Sequence, residues 1–170
     1  MKPKTIIIAV ITLAGIGFLM VLSYQKSTSS TASVQGAEAT GARSALTASS
    51  TLYDFGSISM KDGNVTKEFV FTNSSDQDIA IRGLETSCMC TSALLVDPDG
   101  STKGPFGMGG MGGMTVTNDI VKAGENRTLR VVYDPNAHGP AGLGAIDRFI
   151  TVTDASGAAL LFEIKAEVTP

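Results

Sequence analysis

Two patterns of apolar and polar residues divide the chain. Residues 5–23 form one nearly unbroken apolar run, whereas from Thr51 onward apolar and polar positions alternate in short stretches separated by turn residues. The second pattern predicts strands, because side chains two apart in a strand share a face. Residues 52–55 open the series. Residues 65–72 alternate around Phe69 and Phe71 after the turn Lys61-Asp62-Gly63-Asn64, and residues 79–84 place Ile79 and Ile81 on one face after Asn73-Ser74-Ser75-Asp76. Residues 86–95 make a further strand that carries both cysteines. Leu129, Val131 and Tyr133 share a face after the turn Ala123-Gly124-Glu125-Asn126. Residues 146–153 and 159–168 form a closing hairpin across Asp154-Ala155-Ser156-Gly157; Leu160, Phe162, Ile164, Ala166 and Val168 face one way, and Glu163, Lys165 and Glu167 the other. Six or seven strands with one apolar face each predict an all-β, immunoglobulin-like antiparallel β-sandwich over residues 51–170.

The apolar run at 5–23 predicts a different element. As a helix it spans about 28 Å, which matches the roughly 30 Å hydrocarbon core of a bilayer. Lys2 and Lys4 precede it, so residues 1–4 are expected in the cytoplasm and the remainder of the chain outside. A cleaved secretory signal is the alternative, with a cut near Ala32, but signal cores run about 7–15 residues and this run is longer. Both readings export the domain. Residues 24–50 are rich in Ser, Thr, Ala and Gly and nearly devoid of large apolar groups, so they are expected to form a flexible tether with ends on the order of 25–30 Å apart. The sandwich is thus expected to follow one N-terminal transmembrane helix, as a single-pass protein with an extracytoplasmic C-terminal domain.

Charge narrows the partners. From Ser50 onward there are nine Lys and Arg against fifteen Asp and Glu, and a domain this acidic offers little to phosphate backbones. Nucleic acid is excluded as an expected partner. Three Asn-x-Ser/Thr triplets, at Asn64, Asn73 and Asn126, are weak signals for glycosylation, since Asn is common in turns.

Candidate chemistry is confined to sulfur and one imidazole. Cys88 and Cys90 flank Met89; on an extended strand both cysteines would point to one side, and a direct disulfide between them would be geometrically awkward. Three readings stand open for the pair: buried structural thiols, ligands for a soft metal, or a redox couple. Residues 98–117 read as a Gly/Met-rich loop in which Met108, Met111 and Met114 recur every third position between glycine pairs. Thioethers and thiolates select Cu(I), so these methionines with Cys88, Cys90 and His138 form a tentative metal set; the alternative is a glycine-rich loop whose methionines pack adaptably. His138 lies in a loop, Asp134-Pro135-Asn136-Ala137-His138-Gly139-Pro140. A thiol-disulfide enzyme needs a cation or a helix start beside its thiolate, and Arg82 is the nearest basic residue before the pair. As His138 is the single histidine and no nucleophile-elbow pattern accompanies it, no enzyme is expected.

Several segments resemble one known family. Tyr53-Asp54-Phe55-Gly56, Lys67-Glu68-Phe69-Val70-Phe71-Thr72-Asn73, the Ser-Cys-x-Cys-Thr run Ser87-Cys88-Met89-Cys90-Thr91, Lys122-Ala123-Gly124-Glu125, and Val132-Tyr133-Asp134-Pro135 with His138-Gly139 are similar to the domain of unknown function 1573. The resemblance spans about residues 51–168 and implies an immunoglobulin-like sandwich, exported or membrane-attached in bacteria, with no established activity. Residues 98–117 depart from the family pattern as an insertion after the cysteine strand. The expected function is a membrane-anchored binding module that takes Cu(I) or another soft metal through Cys and Met. A cell-surface domain that contacts a protein partner without metal is the alternative, and a thiol-disulfide protein the second alternative.

Overall fold

The computed structural model of the chain describes residues 44–110 and 115–170. The expected membrane helix at 5–23, the tether up to residue 43, and Met111 and Met114 lie outside the described residues. Among the described residues no helix is long and apolar enough to cross a membrane.

Among the described residues ten strands build two five-stranded sheets: β1 Leu46–Ala48, β2 Leu52–Ser59, β3 Val65–Asn73, β4 Ile79–Thr86, β5 Thr91–Val96, β6 Thr102–Phe106, β7 Val116–Val121, β8 Asn126–Tyr133, β9 Gly144–Asp154 and β10 Ala159–Thr169. The first sheet runs β1-β3-β8-β5-β6 and the second β2-β10-β9-β4-β7. Their inner faces meet in a single core. Phe69 and Phe71 of β3 lie 5.0 and 6.2 Å from Phe162 of β10, ring centre to ring centre. Around these rings Leu84, Leu95, Leu129, Val131, Ile150, Val152 and Ile164 are fully buried. The period-2 rows of β3, β4, β5, β8, β9 and β10 supply these side chains, so the sandwich and its closing hairpin follow from the alternation. The fold is an immunoglobulin-like β-sandwich.

Four features differ from the sequence expectation. The domain begins before residue 51: Leu46 is 2 % exposed, and β1 pairs antiparallel with β3. One apolar side chain in a three-residue strand is too short a signal to stand out of a Ser/Thr/Ala-rich stretch. The sheets are also not wholly antiparallel, because β2 pairs in parallel with β10, Ile164 opposite Tyr53; alternation does not encode strand direction. Within the expected 98–117 loop, β6 is a true edge strand, exposed along its length until Phe106. Its Gly104-Pro105 pair is tolerated because an edge strand need not use every amide in a ladder. Finally, β7 points Thr117, Asp119 and Val121 inward and Val116 and Ile120 outward, so two of its three inward positions are polar.

The inward Asp119 has a partner. Arg127 of β8, only 7 % exposed, lies 3.3 Å from Asp119, also pairs with Glu125, and donates to the Ile120 carbonyl at 2.8 Å. Lys103 of β6 completes the cluster with Asp119 and Asp97, and the hydrogen bond to Asp119 raises its pKa against the opposing effect of burial. Asp97 Oδ1 is 3.3 Å from Arg127 Nε without hydrogen-bond geometry, so this contact is electrostatic only. The cluster ties the β6 edge of one sheet to the β7 edge of the other. Buried charges of this kind are worth little when intact but costly when one partner is removed.

Two polar side chains fix the turns. Asn73, fully buried, donates to the carbonyls of Gln77 and Val121 and accepts from Ser75. Its amide is fully engaged and inaccessible, which removes Asn73 as a glycosylation site in the folded domain. Asp154, 6 % exposed, ends β9. One carboxylate oxygen accepts from the Ser156 amide and hydroxyl and the Ala158 amide, and the other from Ser44 at 2.7 Å. Burial pushes its pKa up, but the bonds from Ser156 and Ser44 outweigh this and hold it below the ordinary value of 3.8.

Two outcomes are expected. Because the folded pKa of Asp154 is depressed, its stabilisation is complete above pH 3.8 and is lost as pH falls through the lower folded value. Asp154→Ala should cost about 2–3 kcal/mol at neutral pH and flatten the acid limb of a denaturation series followed by circular dichroism. Asp119→Ala removes one of the two carboxylates hydrogen-bonded to the buried Arg127, with Glu125 remaining, and should cost about 1–3 kcal/mol in urea denaturation.

Candidate functional site

The cysteines lie on a turn, not on a strand. Residues 86–95, expected as one strand, are broken at 87–90, where the chain leaves β4 in the second sheet and enters β5 in the first. The Thr91 amide donates to the Cys88 carbonyl at 3.1 Å, closing a four-residue turn. The buried Thr86 hydroxyl lies 3.0 Å from the carbonyls of both Cys88 and Thr91. Flanking bonds clamp the turn at both ends: Thr86 N–H to Gly107, Ser87 N–H to Phe149, and Asp134 N–H to Cys90, at 2.8–3.1 Å.

The turn, in place of the expected strand, brings the two sulfurs together. Two residues of extended strand would advance about 6.6–6.8 Å, whereas the Cα atoms of Cys88 and Cys90 are 5.3 Å apart and their sulfurs are paired as a disulfide. Met89, between them, is 58 % exposed.

His138 arrives from a different loop, between β8 and β9. Asp134 nucleates this loop by accepting from the Asn136 amide at 2.8 Å, and the Asn136 side chain anchors it to the Met60 carbonyl. Gly139 takes a positive φ of 54° directly after His138, a conformation that glycine adopts without strain. At Gly142 a Cβ would lie 3.3 Å from the His138 Cβ, so the short 3-10 turn Gly139–Gly142 packs closely against the base of the His138 side chain. The result is a His138 Nε2 atom 3.1 Å from Cys88 Sγ. The sulfurs of Cys88 and Cys90 and a ring nitrogen of His138 all lie within 4.8 Å of one another.

Arg148 is the residue that sequence reasoning missed. Its Nε donates toward Cys90 Sγ at 3.2 Å, while Nη1 holds the Asp147 carbonyl. The signal was present in the β9 row Ile146, Arg148, Ile150, Val152, where a charge occupies an inward position between buried aliphatics. Such a charge calls for a partner, and the partner is a sulfur 58 residues earlier. Nearby Tyr133 has its phenol pKa raised by burial, with Arg148 opposing and Asp134 adding to the rise.

The described part of the methionine loop reaches the same turn. Met108 and Met89 line a shallow cleft of about 290 Å³ with Thr91, Ser92, Pro105 and Phe106. Cys88, Cys90 and His138 are therefore brought together, Met108 borders their turn, and Met111 and Met114 lie outside the described residues. The asymmetry between the cysteines is clear. Cys90 is 2 % exposed and packs in the core, whereas Cys88 is half-buried beside an exposed imidazole.

A known structure shares the fold. A protein of unknown function from Porphyromonas gingivalis W83 aligns over 72 % of this chain at 15 % identity with a TM-score of 0.52. The alignment spans 46 % of that protein, so this chain matches about half of its length. Looser likenesses are the PapD-like domain 7 of human CEP192 (9 % identity, 83 % of this chain, 96 % of that domain, TM-score 0.47) and the Pseudomonas aeruginosa CupB2 chaperone (16 %, 72 %, 55 %, 0.38). No curated protein sequence matches the chain. A family profile described as "Protein of unknown function (DUF1573)" matches residues 46–104. That span contains the motifs at Tyr53, Lys67 and Ser87 through Thr91; those at Lys122, Val132 and His138 fall beyond it. Over residues 46–104, from β1 through the cysteine turn into β6, this chain carries a DUF1573 sequence, as its motifs predict.

Proposed function

We propose that the domain is an extracytoplasmic binding module that, when reduced, holds one Cu(I) or a similarly soft cation through Cys88, Cys90 and His138. The observation that carries this reading is the convergence of three donor atoms within 4.8 Å from two loops distant in sequence. Thiolate and imidazole together favour a soft, low-coordinate ion over hard cations. Two thiolates, a neutral imidazole and one monovalent cation leave a net negative charge, which the Arg148 guanidinium at 3.2 Å from Cys90 Sγ offsets. Met108, which lines a cleft with Met89 of the same turn, is a thioether near the site among the described residues. In this reading residues 5–23 hold the module to the membrane and residues 24–43 present it at a distance. The role is that of a carrier or sensor of the ion, not of an enzyme.

A protein partner is a second reading, favoured by the edge strand β7, where Val116 and Ile120 are 69 % and 53 % exposed. Open edges accept an added strand. Ile120→Lys should abolish capture of such a partner while metal stoichiometry stays unchanged.

Anaerobic titration of the reduced full chain in detergent, with a competing Cu(I) indicator, is expected to give one ion per chain. His138→Ala should weaken binding by at least about tenfold, and the Cys88→Ser/Cys90→Ser double variant should bind none at this affinity. Unchanged stoichiometry in the double variant would overturn the assignment.

A further inference from the structure

A disulfide between residues two apart has little to do as a structural brace. The stabilisation a cross-link gives grows with the chain it closes, and here the sequence separation is 2. The neighbouring β4–β5 connection is already fixed by the Thr86 hydroxyl and the backbone bonds of Ser87, Thr91 and Asp134. The two sulfurs are also unequally placed. Cys88 Sγ is half-buried and faces His138 Nε2 at 3.1 Å and the Cys90 amide at 3.3 Å, while Cys90 Sγ is buried against Arg148 Nε at 3.2 Å and the Thr91 hydroxyl at 3.7 Å.

We infer that Cys88 and Cys90 form a two-electron dithiol–disulfide couple in which an incoming thiol attacks Cys88 and Cys90 is the leaving sulfur. The reductant is a small or protein thiol. Its thiolate sulfur forms a bond to Cys88 Sγ as the Cys88–Cys90 bond breaks, and the bonding pair departs on Cys90 Sγ. Arg148 donates to the sulfur that has gained the charge, and hydrogen bonds to an ionised acceptor are about twice as strong as neutral ones. A second thiolate then attacks the mixed disulfide and releases the reductant as its own disulfide. The two protons of the two thiols end on Cys88 and Cys90. Exposure directs the attack, because displacement requires approach in line with the breaking bond and the core closes that approach to Cys90. This activity does not rest on metal binding. Where both occur they exclude each other, because the sulfur electron pairs that bind an ion are those consumed in the disulfide.

The test uses the full chain in detergent, stripped of metal by chelators, and equilibrated with graded ratios of reduced to oxidised glutathione. Thiols are counted by alkylation and mass spectrometry. The chain is expected to pass reversibly between zero and two alkylatable thiols. With oxidised glutathione, Cys90→Ser should accumulate a mixed disulfide on Cys88, and Cys88→Ser should form its adduct at least about tenfold more slowly. Arg148→Met should slow reduction of the disulfide by on the order of tenfold, with Arg148→Lys between it and the unaltered chain. Circular dichroism of each variant separates these effects from unfolding. Thiols that remain in one state across the whole series would overturn the proposal, as would equal adduct rates on the two cysteines. Because no metal is present, neither result bears on the Cu(I) assignment, which the titration decides separately.

Discussion

Between Thr86 and Thr91 the chain must leave one sheet and join the other, and it has four residues in which to do so. The arrangement of the site depends on that crossing. An extended path would separate Cys88 from Cys90, whereas the turn closes them to a Cα distance of 5.3 Å. The crossing holds because both flanking strands are interior to their sheets: β4 lies between β9 and β7, and β5 between β8 and β6. The core that fixes the sheets therefore fixes the turn as well. Burial of Phe69, Phe71 and Phe162 thus acts at a distance on the chemistry, by holding the two sheets in register beneath the sulfurs.

The loop after β8 is positioned by the same framework. Tyr133 ends β8 opposite Thr91, the residue that follows Cys90, so the segment leading to His138 starts beside the cysteine turn. The Asp134 amide bonds directly to the Cys90 carbonyl. Ring nitrogen and sulfur then meet as a consequence of strand pairing. β9 contributes Arg148 from the second sheet, in the strand that pairs with β4. The site thus draws on both sheets at one end of the sandwich.

Much of the framework was legible in the sequence. The rows Phe69/Phe71, Leu129/Val131/Tyr133 and Phe162/Ile164/Ala166 each carry a strong period of two, and a strand with one buried face cannot hide that period. The rest escaped for physical reasons. β7 buries Asp119, whose cost is met by Arg127 on another strand, so a local reading of polarity assigned it no inward face. β6 is almost wholly exposed and has no inward row to read. The parallel pairing of β2 is a property of topology, which alternation does not carry. At the site, the spacing of Cys88 and Cys90 was visible but their turn was not. The Cys88–His138 contact joins residues 50 apart and depends on register between β5 and β8. Arg148 was the legible clue left unused, a guanidinium in an aliphatic row.

The cluster is chemically versatile because its parts are few and unequal. In the proposed reading, a buried sulfur with a cationic neighbour, a more accessible sulfur and an imidazole would hold an ion when reduced, and the two sulfurs would close on each other when oxidised. The most direct measurement of this account is X-ray absorption at the copper edge on the reduced full chain loaded with one equivalent of Cu(I). The account predicts a first shell of two sulfurs and one imidazole nitrogen, with the imidazole scattering lost in His138→Ala. A shell of nitrogen and oxygen alone, or one unaltered by replacing both cysteines, would contradict it.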